Sequence, residues 1–165
     1  MGKKTPLYFL REYLFWLLFF AICRSVFLLH NMDELREIPL HEIVATYWNA
    51  LYLDTSMAAY FLVFPFFIFS IASFFPRQAF LKTNTVYTTL LITIFSLISI
   101  AELEIYNEWG TKLNYKAIKF LEHPSEVIRS ASTLFLFAGI LAVILLSIAG
   151  YFLHKKICLN KITED

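Results

Sequence analysis

Several kinds of chemistry are missing from this chain of 165 residues. Its two cysteines, Cys23 and Cys158, lie on an apolar run and in a basic tail, so there is no disulfide framework and no C-x-x-C spacing for redox or metal work. Four histidines, His30, His41, His123 and His154, are scattered with no ligand spacing among them, and a metal site is not expected. With four glycines in all, the chain holds no P-loop, and GxSxG and HExxH are absent as well. Charge is scarce: 14 cations balance 13 acids and together make up 16% of the residues, which excludes the concentrated basic patch that nucleic-acid binding needs. There is no internal repeat and no low-complexity linker.

What is abundant is apolar surface. The chain is 59% hydrophobic and 18% aromatic, with a mean hydropathy of +0.64. A soluble core of this length cannot hide that much, so the solvent for much of the chain is lipid. Apolar runs of membrane-spanning length predict an all-α membrane protein with four transmembrane helices over about 13–30, 56–75, 86–104 and 131–153. The first run follows Lys3 and Lys4 as a signal peptide would, but it is longer than a signal core and ends in Leu28-Leu29-His30-Asn31 rather than small residues, so it reads as a retained span.

Between the spans the pattern changes. After Pro39, Leu40, Ile43, Val44, Tyr47 and Leu51 recur at three- and four-residue spacing opposite His41, Glu42, Thr46 and Asn49. This predicts an interfacial amphipathic helix over about 39–52, with Trp48 and Tyr52 at headgroup depth. Asp54-Thr55-Ser56 then offers caps for the second span, in which Pro65 is expected to loosen a turn. Thr83, Asn84 and Thr85 offer caps for the third, with Gly110 as the stop after Trp109. Residues 105–130 are expected to form a short helical outer loop, and Gly139 and Gly150 to allow close helix contact in the fourth span.

Lys3, Lys4, Arg11, Arg77, Lys82, Lys155, Lys156 and Lys161 share one side of this topology, against Arg36, Lys112, Lys116, Lys119 and Arg129 on the other. The positive-inside rule makes the first group cytoplasmic, so both termini face the cytoplasm. Arg24 lies inside the first span, where an unpaired charge costs about 2.5–3.5 kcal/mol at mid-depth. It either snorkels to the headgroups or pairs with Asp54, which enters from the same side and can also cap the second span. Lys112, Lys116 and Lys119 share a helical face at i, i+4, i+7, with Arg129 on the same outer side. They form either a solvated face or a cradle for an anionic phospholipid headgroup. Glu102 and Glu104, two apart on a helix, point in different directions and make no general acid/base pair. No catalytic residues and no cofactor are assigned to this chain.

Three stretches carry a resemblance. They are Arg24, Phe27 and Asn31 late in the first span, LYLDTS from Leu51 to Ser56, and EIYNEWGTKLNYKAIKFLEHPSE from Glu104 to Glu126. In these the chain resembles the N-terminal membrane region of the lipoteichoic acid synthase-like family, bacterial membrane-bound sulfatase or phosphoglycerol transferase proteins of the alkaline phosphatase superfamily. Ala50 and Tyr52 depart from the Gly and basic residue of that pattern. Members usually have five spans followed by a large outward-facing metal-dependent domain that holds the nucleophilic Thr and metal ligands, whereas this chain stops after four spans. The resemblance therefore implies a bacterial cytoplasmic-membrane anchor that positions a lipid headgroup for a phosphoglycerol or phosphoethanolamine transferase-like or sulfatase-like enzyme, without its catalytic domain. The partners are then membrane lipids and that missing domain. A rival reading is a stand-alone small membrane protein that binds partner transmembrane helices as a subunit of a complex.

Overall fold

The computed structural model describes residues 5–71, 77–111 and 133–159, and these are helical almost throughout. Among the described residues, four helices are long and apolar enough to cross a membrane, over Pro6–His30, Leu40–Ile71, Gln78–Asn107 and Leu136–Leu159, so the chain is a multi-pass membrane protein. Helix α1 spans Thr5–His30, α2 Leu40–Ile71, α3 Arg77–Trp109 and α4 Thr133–His154. A single 3-10 turn, Glu34–Glu37, lies between α1 and α2, and a π-helical turn, Lys155–Leu159, follows α4.

Helix α1 shows what lipid does to an amphipathic pattern. Its 26 residues rise about 39 Å, more than the ~30 Å of a hydrocarbon core. Tyr8, Glu12, Phe15, Trp16 and Phe19 form one buried stripe, while Leu7, Leu10, Leu14 and Leu18 face outward. In water the leucines would be drawn inside. Lipid is as apolar as leucine, so packing and polar pairing decide the inward face instead. The aromatic side chains meet their neighbours edge to face, as in Trp16 on Phe61 at 4.7 Å between centroids, Phe61 on Phe95 at 5.1 Å and Phe20 on Phe95 at 5.7 Å. The helix ends where Asn31 turns its side-chain Nδ2 back to the Phe27 carbonyl at 2.9 Å.

The interfacial helix expected over 39–52 and the second span expected to start at 56 are one uninterrupted helix of 32 residues. The reason lies in the residues expected to divide them. Asp54 is engaged by Arg24 and does not serve as a cap. Ser56 Oγ donates to the Tyr52 carbonyl one turn back, and Thr46 Oγ1 to the Ile43 carbonyl, so these hydroxyls are satisfied within the helix. No glycine or proline intervenes between Pro39 and Pro65. Residues 72–75, the expected end of this span, lie outside the described residues.

The third helix likewise starts earlier than its expected caps. It is already formed at Arg77, nine residues before the expected boundary at Val86. Thr85, Thr89 and Thr93 each donate to the carbonyl four residues back, at 2.8, 2.7 and 3.0 Å. Asn84 is buried inside the bundle. Hydroxyls bonded to the carbonyl four residues back are satisfied within the helix and are not available to cap it. At the other end the expected stop is present: Gly110 takes φ +62 and its N–H returns to the Tyr106 carbonyl at 2.8 Å. The fourth helix matches its expected span from Thr133 onward.

Gly150 sits where α1, α3 and α4 come together. A Cβ there would lie 2.8 Å from Ile92 Cγ2 and 2.9 Å from Phe19 Cε2, so only glycine admits this approach. Pro65, buried within α2, cannot supply an N–H to the Phe61 carbonyl one turn earlier. Tyr87 of α3 does so instead, donating its hydroxyl at 3.2 Å while its ring lies 4.4 Å from that of Phe64. A neighbouring helix thus repairs the backbone gap, as lipid cannot. Tyr87→Phe should lower unfolding stability in detergent by about 0.5–1.5 kcal/mol. The loss should shrink in a Pro65→Ala background, where residue 65 regains its own N–H. An equal loss in both backgrounds would mean that the tyrosine serves packing alone.

Candidate functional site: two buried polar centres on one helix

Helix α1 carries two polar side chains into the bundle, Glu12 and Arg24, twelve residues and so about 18 Å apart along its axis. Each collects partners from other helices.

Arg24 is met by Asp54 of α2. Nη1 donates to Oδ2 at 3.0 Å and Nη2 to Oδ1 at 3.2 Å, a two-pronged fork with side chains 17% and 15% exposed. One turn of sequence logic widens the joint: the guanidinium lies 5.6 Å from the ring centroid of Tyr47, two turns before Asp54, and the Tyr47 hydroxyl is 2.8 Å from Ser25 Oγ. Ser25 in turn donates to the Ala21 carbonyl at 2.8 Å. Adjacent residues of α1, Arg24 and Ser25, therefore hold points two turns apart on α2. Asp54, weighed as cap and as partner, acts here as the partner.

Beyond that joint, the end of α3 is tied to the end of α1. Tyr106 donates its hydroxyl to Glu34 Oε2 at 2.9 Å, its ring meets Phe27 edge on at 5.1 Å, and Asn107 Nδ2 lies 3.3 Å from His30 Nε2. Gly110 then turns the chain away. The expected headgroup contacts Lys112, Lys116, Lys119 and Arg129 all lie outside the described residues.

The second centre is the one that sequence reasoning missed. The Oε1 atom of Glu12 accepts from Tyr8 Oη at 2.8 Å and from Asn84 Nδ2 at 2.8 Å, and His154 Nε2 lies 2.8 Å from it. Asn84 Nδ2 also reaches the Tyr8 hydroxyl oxygen. Glu12, Asn84 and His154 come from α1, α3 and α4, and each is at most 1% exposed. One carboxylate oxygen thus joins three helices. Donation to an ionised Glu12 fixes the proton of a neutral His154 on Nε2 and leaves Nδ1 as an acceptor, and Nδ1 has no hydrogen-bond partner among the described residues. The π-helical turn after α4 brings the fully buried Cys158 to the same place: Sγ, the His154 nitrogen and a Glu12 oxygen all lie within 4.8 Å of one another. A carboxylate, an imidazole and a thiol converge here, a grouping that spacing among the four histidines does not reveal.

The signals for this centre in the chain are weak. Glu12 lies one residue before the expected first span, where a charge is ordinary. His154 and Cys158 stand at i, i+4 spacing, which a pattern among histidines alone does not show. Asn84 has the look of a helix cap.

The fold and its two centres define a four-helix membrane domain whose buried polar groups bind helix to helix. Comparison with protein-family models, with curated proteins and with solved structures finds no match to this chain.

Removing one partner of a part-buried ion pair leaves the other charge uncompensated, whereas removing both need not. Arg24→Leu alone and Asp54→Leu alone should each destabilise the bundle by about 1.5–3 kcal/mol, and the double variant should recover most of that loss. Unfolding in mixed micelles, read as a double-mutant cycle, measures the coupling. Additive losses would show that the two residues act separately.

Proposed function

We propose that this chain is a membrane-anchoring and lipid-headgroup-positioning domain in the bacterial cytoplasmic membrane, serving a lipoteichoic acid synthase-like or sulfatase-like enzyme whose chemistry resides in a separate metal-dependent domain. Both termini face the cytoplasm in this reading, following the distribution of lysine and arginine. The ends of α1 and α3 joined by Glu34, Tyr106 and Asn107 then face outward, and the loop that follows Gly110 starts from this braced edge. That brace is the observation that favours the reading, because a loop must leave a rigid support to hold a headgroup in place. Arg24 is matched by Asp54 and Arg36 by Asp33 at 2.9 Å, so the phosphate falls to the other outer cations, Lys112, Lys116, Lys119 and Arg129.

The contribution to catalysis is proximity. A headgroup held beside an outer active site meets it by a positioned encounter rather than a diffusional one. The phosphoglycerol or phosphoethanolamine transfer itself belongs to the catalytic domain.

Two measurements test this. In whole cells, a membrane-impermeant thiol reagent should modify Tyr115→Cys and leave Asn160→Cys unmodified. The opposite pattern would reverse the topology. Native mass spectrometry of the purified protein should find a retained anionic phospholipid, and Lys116→Ala should reduce its occupancy several-fold. An absent lipid, or occupancy indifferent to the substitution, would remove the headgroup role and leave a helix-binding subunit as the better description.

A further inference from the structure

The Glu12 centre has more donor atoms than a structural hydrogen bond needs. Glu12, His154 and Cys158 bring one oxygen, one nitrogen and one sulfur within 4.8 Å of one another, at 1%, 0% and 0% exposure. Beside them the buried Asn84 points its amide at Glu12, with Nδ2 2.8 Å from Oε1, and its own Oδ1 has no hydrogen-bond partner among the described residues. From this geometry we propose that Glu12, His154 and Cys158 form a binding site for a single zinc-class divalent metal ion, with Asn84 Oδ1 or a water in the fourth position.

Charge is the first argument. An ionised Glu12 in this position accepts from the neutral Tyr8 and Asn84, and unless His154 is protonated the positive charge near the centre is that of Arg11, whose field reaches Cys158; a carboxylate placed so in a lipid-facing bundle is disfavoured. A divalent cation bound by one carboxylate, one thiolate and one neutral imidazole gives a centre of net charge zero. Binding releases the Cys158 proton, as thiolate ligation requires. It also moves the imidazole proton from Nε2 to Nδ1, which is the nitrogen that carries it whenever Nε2 is a ligand.

Geometry is the second. Zinc bonds of about 2.0–2.2 Å to nitrogen and oxygen and about 2.3 Å to sulfur, arranged tetrahedrally, hold ligand atoms roughly 3.3–3.6 Å apart. The present separation of 2.8 Å between His154 Nε2 and Glu12 Oε1 is that of a hydrogen bond, so the pair must open by about half an ångström as the ion enters. Cys158 must close in. The π-helical turn that carries it forms the last turn of the fourth span, so closing in means a small repacking of Cys158 at the end of that helix. The ligand set also selects the ion. A thiolate beside an imidazole disfavours magnesium and calcium, which take oxygen ligands, and suits zinc or cobalt.

The site is tested on the full chain purified in detergent, stripped with a chelator and titrated with Co2+ or Zn2+. One Co2+ per chain should bind with the visible bands of a tetrahedral ion and a near-ultraviolet thiolate-to-cobalt charge-transfer band. Cys158→Ser should abolish the charge-transfer band and weaken binding at least tenfold, while Asn84→Ala should weaken it by about 10–100-fold if the amide supports the site. Zinc should raise the unfolding temperature of the wild type and not that of Cys158→Ser. Because Glu12 and His154 also hold the helices together, the serine substitution, which changes one buried atom, is the decisive variant. Absence of a stoichiometric ion would overturn the proposal, as would a cobalt spectrum and affinity unchanged in Cys158→Ser.

Discussion

A carboxylate buried in a bundle that faces lipid must be met by donors from its own chain, and Glu12 is met from three directions. Tyr8 reaches it from one turn back on the same helix, Asn84 from α3 and His154 from the end of α4. Since hydrocarbon provides no hydrogen bonds, any arrangement that separates these helices leaves a polar group bare. The same rule explains the Tyr87 hydroxyl on the Phe61 carbonyl, and the fork between Arg24 and Asp54. Apolar contact fills the space between these points but does not by itself choose the neighbours, because lipid would accept the same leucines.

The polar joints are arranged along α1 in a way that divides labour. Near its start, Glu12 gathers α3 and α4. Twelve residues on, Arg24 and Ser25 gather α2 through Asp54 and Tyr47. At its end, Phe27, His30 and the following Glu34 take the last turn of α3. Helix α1 is thus the post to which the other three are fastened, and Gly150 and Ile92 supply the close contact that lets α3 and α4 reach it together. The two ends of the post differ chemically. One presents a carboxylate, an imidazole and a thiol in a fully buried centre, and the other a guanidinium fork beside the braced ends of α1 and α3.

Much of this was legible without coordinates where it depended on local pattern. The four apolar runs, the helical class and the stop at Gly110 follow from length, hydropathy and the freedom of glycine at positive φ. Arg24 and Asp54 were readable as candidates for each other because each is a charge at the edge of an apolar run with few alternatives. Capping residues were less informative. Asp54, Ser56, Asn84 and Thr85 all look like helix starts in a soluble protein, but in α2 and α3 they turn to the helix backbone or to another helix, and the helix runs on.

By itself, then, the order of residues determined that the chain folds as long apolar helices, because that is a property of each segment and the solvent it tolerates. It also determined which few charges would need partners. Which partners they found was decided only by tertiary structure. Glu12 lies 72 residues from Asn84 and 142 from His154, separations across which no periodicity carries information. Only the packing of α1 against α3 and α4, and the wider turn that returns Cys158 beneath His154, brought an oxygen, a nitrogen and a sulfur to one point.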